Sequence, residues 1–392
     1  MDIESLRREI PATQQLVYMN TGWSGPSPRS VVEAIKDRLE YESYEGPTAR
    51  PVLESRRLLG QRAREAIAGL LGATAEEISL TQNTTEGLNI VLNGLSWKAG
   101  DEIITCNLEH SSVLVPVFYL KQRRSLQVKI VDLEVSDGVE EVLAKFEAAC
   151  TPRTRLFCLS HIMYTVGLRL PLKEICELAH RRGALVLVDA AQSAGHILLN
   201  MREMGCDFYA IPGHKWVLGP DGVGALYIKR DLIPQVEPMK SGGASASYNL
   251  DGNFTPNSDQ IRKFELTTTS GPLWAGLVAA IEFLQGIGQQ AIEARTLSLA
   301  EEMRRQLAAI DGVSLLSPNG GPLASGLVTF AVEGMTPQEI GDALWERGRI
   351  VSRTVSHPHG LRVSLDFFNT ESELQQVADI VGQLARQGVQ AV

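Results

Sequence analysis

The sequence predicts an α/β protein: a large domain with a mostly parallel sheet sandwiched by helices, followed by a smaller C-terminal α+β domain. Three observations carry this. Between about residues 66 and 229, short β-branched runs alternate with amphipathic helical stretches. The runs at 103–106, 128–131, 156–160, 185–188 and 224–228 are nearly continuous in apolar character, as strands covered on both faces must be. After a Gly-, Ser-, Asn- and Asp-rich stretch at 241–260, the pattern changes to two long helices and then to strands alternating with helices.

Taken in order, residues 1–20 open with a charged, helix-prone segment that lacks the apolar core of a signal peptide, and they are expected to pack with the small domain. Residues 21–270 form the large domain and 271–392 the small one. Thr81 to Asn89 reads as a turn followed by a helix start. The run at 184–188 ends in Asp189, and a glycine-bracketed turn at 213–224 follows. The stretch at 241–260 reads as a surface connection, with a substrate lid as the less favoured alternative. Helices are expected at 272–287, 292–310, 336–347 and 371–386, and strands at 326–330 and 360–365.

Composition excludes several classes. Over 392 residues, 44% are hydrophobic and 21% charged, and the formal charge of −9 is spread along the chain. No basic groove for nucleic acid and no basic face for a membrane is expected, and no apolar run reaches bilayer length. A cytoplasmic protein is the simplest expectation. Five cysteines without CxxC or zinc-like spacing predict neither disulfides nor a metal site.

The chemistry concentrates on two residues. Lys215 lies in the glycine-bracketed turn, 26 residues after Asp189. A lysine amine can form a Schiff base with the aldehyde of pyridoxal 5'-phosphate (PLP). A carboxylate at a strand end can keep the cofactor's pyridine nitrogen protonated, so that the ring acts as an electron sink. Taken alone, each has an ordinary reading: a solvated lysine, and an aspartate capping a helix. Likewise Thr84 and Thr85 begin a helix whose hydroxyls and free amides suit an anion, but Thr-Thr-Glu is also a common cap.

Together these motifs are similar to the class V aminotransferase family of fold-type I PLP-dependent transferases, which includes cysteine desulfurases, cystine C–S lyases and isopenicillin N epimerase-like proteins. The similarity runs in order from Thr81 to Lys229, then through 263–270 and 353–370. It implies Lys215 as Schiff-base lysine and general base, Asp189 as partner of the ring nitrogen, and Gln192 on the ring oxygen. His110 is implied to stack on the ring, with Thr84, Thr85 and His214 on the phosphate. Many relatives carry a serine two positions before that histidine, where this chain has Pro212, so one phosphate ligand is replaced or lost. Thr268 matches a phosphate contact donated across a homodimer interface. Arg362 matches the clamp for the substrate α-carboxylate, with Arg353 as a second anionic contact and Gly22 among the substrate-binding positions. His196 is open between a cofactor and a structural role.

Cysteine desulfurases carry a mobile loop cysteine between two such arginines. Here that segment reads Arg353-Thr354-Val355-Ser356-His357-Pro358-His359-Gly360-Leu361-Arg362, and no cysteine follows Cys206. Relay of sulfur through a persulfide is therefore not expected. The resemblance leaves β-elimination, transamination and epimerisation open. The absent cysteine, with the motifs Asn20-Thr21-Gly22-Trp23 and Gly219-Pro220-Asp221-Gly222, favours elimination on a sulfur amino acid of the cysteine or cystine type. A non-catalytic PLP-fold scaffold is disfavoured by the intact set of Lys215, Asp189, His110 and Arg362.

Overall fold

In the computed structural model, which describes residues 1–389, all five anticipated runs are strands of one seven-stranded sheet. Its spatial order is Ile78–Thr81, Gly224–Ile228, Phe208–Pro212, Leu185–Asp189, Thr154–Ser160, Glu102–Cys106, Gln127–Val131. The last five run parallel, and Gly224–Ile228 alone opposes its neighbours. Two strands complete what the sequence suggested. Ile78–Thr81 is short and half polar, and Phe208–Pro212 ends in a proline, which a strand tolerates at its terminus. Both are buried throughout.

Parallel strands release their chains at one end of the sheet, and there the candidate residues gather. Ser160 and Asp189 end adjacent strands and lie side by side in register. The helix Thr84–Gly94 starts from the same end.

The helices Arg29–Glu45 and Arg50–Leu71 pack against Gly271–Ile287. This last helix, placed at the start of the small domain from sequence, buries Leu277, Ile281 and Leu284 in the same apolar core as Ile67, Leu71 and Val223. An apolar helix does not announce which core will cover it. At Gly288 (φ +92°) the chain bends by 77° into Gln289–Ala308. Among the described residues no single helix is long and apolar enough to cross a membrane.

The small domain is a four-stranded antiparallel sheet in the order Val313–Leu315, Leu327–Val332, His359–Ser364, Arg353–Ser356. The helices Gln289–Ala308, Pro337–Gly348 and Glu371–Val389 cover it, burying Leu299, Met303, Ile340, Leu344, Val377 and Val381. The N-terminal segment joins this unit. Val17–Tyr18 pairs with Ile350–Val351, Arg7 bonds Glu373 at 2.8 Å, and Met19 enters the small core. Residues 241–260 hold a small exposed hairpin, Ala246–Tyr248 with Phe254–Pro256.

His196 joins the two parts and has a structural role. Its Nε2 accepts the Gly326 N–H at 2.9 Å, so Nδ1 carries the proton and donates to the Gln192 carbonyl at 2.7 Å. Its ring stacks on Trp216 at 3.8 Å. His161, equally buried, bonds the Tyr209 hydroxyl at 2.8 Å.

Burial pushes both imidazoles down to about 3, so they are neutral when folded and take up protons when the unfolded chain is acidified. Their stabilising contribution is complete above the ordinary histidine value of roughly 6.5 and declines as pH falls toward 3. The urea midpoint is expected to drop through that window. In the His161→Gln, His196→Gln double variant the drop should be shallower, from a lower starting point at pH 7.

Candidate active site

The turn carrying Lys215 is fixed by its own bonds and by two close backbone approaches. Gly219 N–H donates to the Gly213 carbonyl and Gly213 N–H to Val223, both at 2.8 Å. Gly25 donates to the His214 carbonyl at 2.7 Å, and a Cβ there would collide with the Lys215 carbonyl. Gly195, at φ +86°, lies as close to the Trp216 carbonyl. Both positions need glycine because backbone meets backbone.

Above the strand ends is a cavity of about 180 Å³ with Lys215, Asp189, His110, Thr84, Thr85, Gln192 and His214 on its walls. Seven candidates named from sequence thus converge on one space, although they span 132 positions from Thr84 to Lys215. Pro212 also lines it, leaving no hydroxyl at that point.

The Lys215 amine is lowered to about 8, chiefly by burial, with Arg362 and Arg353 adding to the effect and Asp189 opposing it. Asp189, 3% exposed, accepts from Ala191 N–H at 2.9 Å and from the Ser112 hydroxyl at 2.8 Å. Ser112 also donates its backbone N–H to His110 Nδ1 at 3.1 Å. The Ser112 hydroxyl lies 2.9 Å from the same nitrogen, and burial holds the His110 imidazole below its ordinary value. The Tyr164 ring meets His110 edge-on at 4.8 Å.

At the helix start, Asn83 caps Thr84–Gly94 by accepting the Glu86 N–H. Thr84 Oγ1 and His214 Nδ1 are buried without a hydrogen-bond partner, Asp221 Oδ1 standing 3.6 Å from the latter. Gln192 lines the cavity with both ends of its amide engaged: Nε2 donates to the Gly22 carbonyl at 2.8 Å, and Oε1 accepts from Trp216 at 2.9 Å. Gly22 lies outside the cavity walls and serves to hold Gln192. A Cβ there would meet Ser364 Oγ at 2.8 Å.

Arg362 is fully buried, donating to the Tyr164 carbonyl at 2.6 Å and to Asn20 Oδ1 at 3.3 Å, with Nε unpartnered. Burial, then neighbouring Arg353, lowers it to about 9. Arg353 is its direct partner across the antiparallel strands. Neither guanidinium forms an ion pair with an acidic side chain among the described residues. Thr268 is exposed on a loop and does not reach the Lys215 cavity within one chain. His357 and His359 are exposed at the tip of the hairpin 353–364.

Sequence reasoning missed Ser112, Tyr164 and Asn20. Ser112 lies two residues after His110, and a helix-start hydroxyl was the available signal; Tyr164 and Asn20 become neighbours of Arg362 only through folding.

The aminotransferase class-V family model matches residues 17–377. The chain belongs to that family. It is 34% identical to a probable cysteine desulfurase of Methanothermobacter thermautotrophicus, with 99% of each chain covered. It is 33% identical to isopenicillin N epimerase of Streptomyces clavuligerus, with 98% of each covered. Among solved structures it resembles the cystine C–S lyase C-DES, at 30% identity and a TM-score of 0.90 over 96% of this chain and 98% of that one. That structure holds glycine covalently linked to its PLP cofactor.

The family is PLP-dependent, and the residues here fit that group. Unpartnered Thr84 Oγ1 and His214 Nδ1 offer polar contacts to the phosphate, Asp189 offers a doubly hydrogen-bonded carboxylate to the ring nitrogen, and Lys215 an amine of lowered basicity to the aldehyde.

Two outcomes are expected. Uptake of PLP by the apoprotein, followed by absorbance, should accelerate with pH around a midpoint near 8, because only the neutral amine attacks an aldehyde. Arg362→Ala removes a positive neighbour and should move that midpoint upward. Ser112→Ala deprives Asp189 of its hydroxyl donor and removes the hydroxyl beside His110 Nδ1, while the backbone N–H contact to that nitrogen stays. Roughly 1 kcal/mol per lost bond predicts several-fold weaker PLP binding by equilibrium titration.

Proposed function

We propose that this class V enzyme is a C–S lyase, acting by β-elimination on cysteine- or cystine-type amino acids as a homodimer. The observation that carries the reading is the closed hairpin where desulfurases hold their loop cysteine. Register is continuous from Arg353↔Arg362 to Ser356↔His359, so only His357 and Pro358 make the turn. Four of the five cysteines are buried and the fifth, Cys150, is half-buried. Burial raises every thiol, which disfavours the thiolate that sulfur relay needs.

PLP bound in the cavity supplies an electron sink for the charge that develops at the substrate Cα. Arg362 takes the α-carboxylate through its planar donor edge and thereby orients the Cα–H bond. Lys215, neutral above about pH 8, accepts the Cα proton. The Cβ–S bond then breaks, the sulfur leaving with the electron pair as thiolate or persulfide. The remaining 2-aminoacrylate takes up water and yields pyruvate and ammonia.

The homodimer is supported by Thr268, which is exposed beside a depression of about 320 Å³ lined by Leu80, Val223, Phe264 and Trp274. A second chain covering that depression would give Thr268 a site to enter. Light scattering of the PLP-loaded protein is expected to give twice the chain mass of 42.8 kDa.

With L-cystine or L-cysteine and no 2-oxo acid, the protein should release pyruvate, and Lys215→Ala should abolish that release. Amino transfer that requires a 2-oxo acid, or inversion at Cα without pyruvate, would reassign it to the aminotransferase or epimerase chemistry of its relatives. Protein-bound persulfide with alanine as product would overturn the reading of the hairpin.

A further inference from the structure

A second acid lies behind the cavity wall. Glu109, 6% exposed, has both carboxyl oxygens engaged by one residue: Oε1 accepts the Ser160 N–H at 2.7 Å, and Oε2 lies 2.5 Å from the Ser160 hydroxyl. Ser160 in turn lines the cavity and is the register partner of Asp189 on the adjacent strand. Two carboxyl groups thus flank one serine at the end of the sheet.

Their surroundings differ. Asp189 takes hydrogen bonds from Ala191 and Ser112 and stands close enough to Lys215 to act on its charge. Among the described residues no basic side chain pairs with Glu109. The titratable groups facing it are Asp189, the thiols of Cys106, at 3.6 Å, and Cys158, and His110, which is next in the chain. Burial keeps both thiols protonated and the imidazole neutral. Neighbouring buried carboxyl groups resist ionising together, and the one with donors and a cation keeps the charge. Burial first, with Asp189 adding to it, raises the Glu109 carboxyl to about 8.

A serine hydroxyl has one proton to give. Facing a carboxylate, Ser160 directs that proton at Glu109 and presents only lone pairs to the cavity. Facing a carboxylic acid, it accepts from Glu109 and its own proton is free. We propose that Glu109 is a positioning residue that works as the neutral acid: it donates to Ser160 and so makes the Ser160 hydroxyl a hydrogen-bond donor for PLP, whose ring oxygen is the matching acceptor. Asp189 remains the charged member of the pair. The inference concerns the cofactor site and holds for elimination, transamination and epimerisation alike.

The proton is observed by infrared difference spectroscopy of the PLP-loaded protein, wild type minus Glu109→Gln. The subtraction removes the bands of other buried acids, Asp366 among them. A carboxylic-acid C=O band is expected at neutral pH, fading as pH rises through about 8. PLP affinity, from equilibrium titration, is expected to be roughly fivefold weaker in Ser160→Ala than in the wild type at neutral pH. That ratio should collapse toward one above about pH 8, where Glu109 loses its proton and Ser160 turns back to it. Glu109→Gln, whose amide donates to Ser160 as the acid does, should keep the neutral-pH affinity and bind PLP more tightly than the wild type at higher pH. Lys215 titrates in every variant and cancels from these ratios.

A difference spectrum without the acid band at neutral pH overturns the neutral Glu109. Weaker binding by Glu109→Gln than by the wild type at neutral pH also overturns it, because Ser160 then needs a carboxylate. If Glu109→Gln does not fold, Ser160→Ala decides alone. Equal affinity of Ser160→Ala and the wild type at neutral pH overturns the donor role, and a ratio that does not change with pH overturns its control by Glu109.

Discussion

The site is organised by an imbalance of buried charge. Lys215, Arg362 and Arg353 are held near one another with Asp189 as their acidic counterpart, and Asp189 is already engaged by Ala191 and Ser112. Burying cations without partners is unfavourable, and folding tolerates it where a ligand supplies the missing anions. Burial, with a smaller push from the two arginines, lowers the lysine to about 8, where it can be a free amine near neutral pH. The imbalance leaves the arginines open to carboxylates.

That arrangement requires a rigid frame, because guanidiniums free to move would turn toward water or toward the nearest acid. The frame is largely backbone. Gly25 and Gly195 let neighbouring segments touch the Lys215 turn, and Gly22 lets the N-terminal turn reach Gln192. His196, stacked on Trp216 and bonded to Gly326, carries the same rigidity into the small domain that delivers Arg353 and Arg362. The N-terminal segment closes the circuit: Asn20 and Trp23 touch the arginines, while Val17–Tyr18 adds to Ile350–Val351.

Much of this was legible in the chain. Apolar runs located five strands of the large sheet, four of them buried on both faces and Gln127–Val131 exposed at the sheet edge, and the short polar strand Ile78–Thr81 gave no such signal. Lys215, Asp189, His110, Thr84, Thr85 and His214 stood out because their local contexts, a glycine turn, a strand end and helix starts, are written in adjacent residues. Gly22 stood out as well, but its part is to hold Gln192 rather than to line the cavity. The sequence did not show that Gly271–Ile287 packs into the large core, since amphipathicity specifies that a face is covered and not by what. Ser112, Tyr164 and Asn20 were not legible, because their roles depend on neighbours distant in sequence.

Sequence alone determined the α/β class, the family to which the chain belongs and the lysine and aspartate that suit PLP, since each rests on local pattern. Only the tertiary structure decided that the segment between the arginines is a closed hairpin, that every cysteine is buried or half-buried, and that Arg353 stacks on Trp23 opposite Arg362. Those facts depend on strand register and on contacts between residues more than three hundred positions apart. No local pattern encodes them, because the free energy that fixes them is shared among the segments they join.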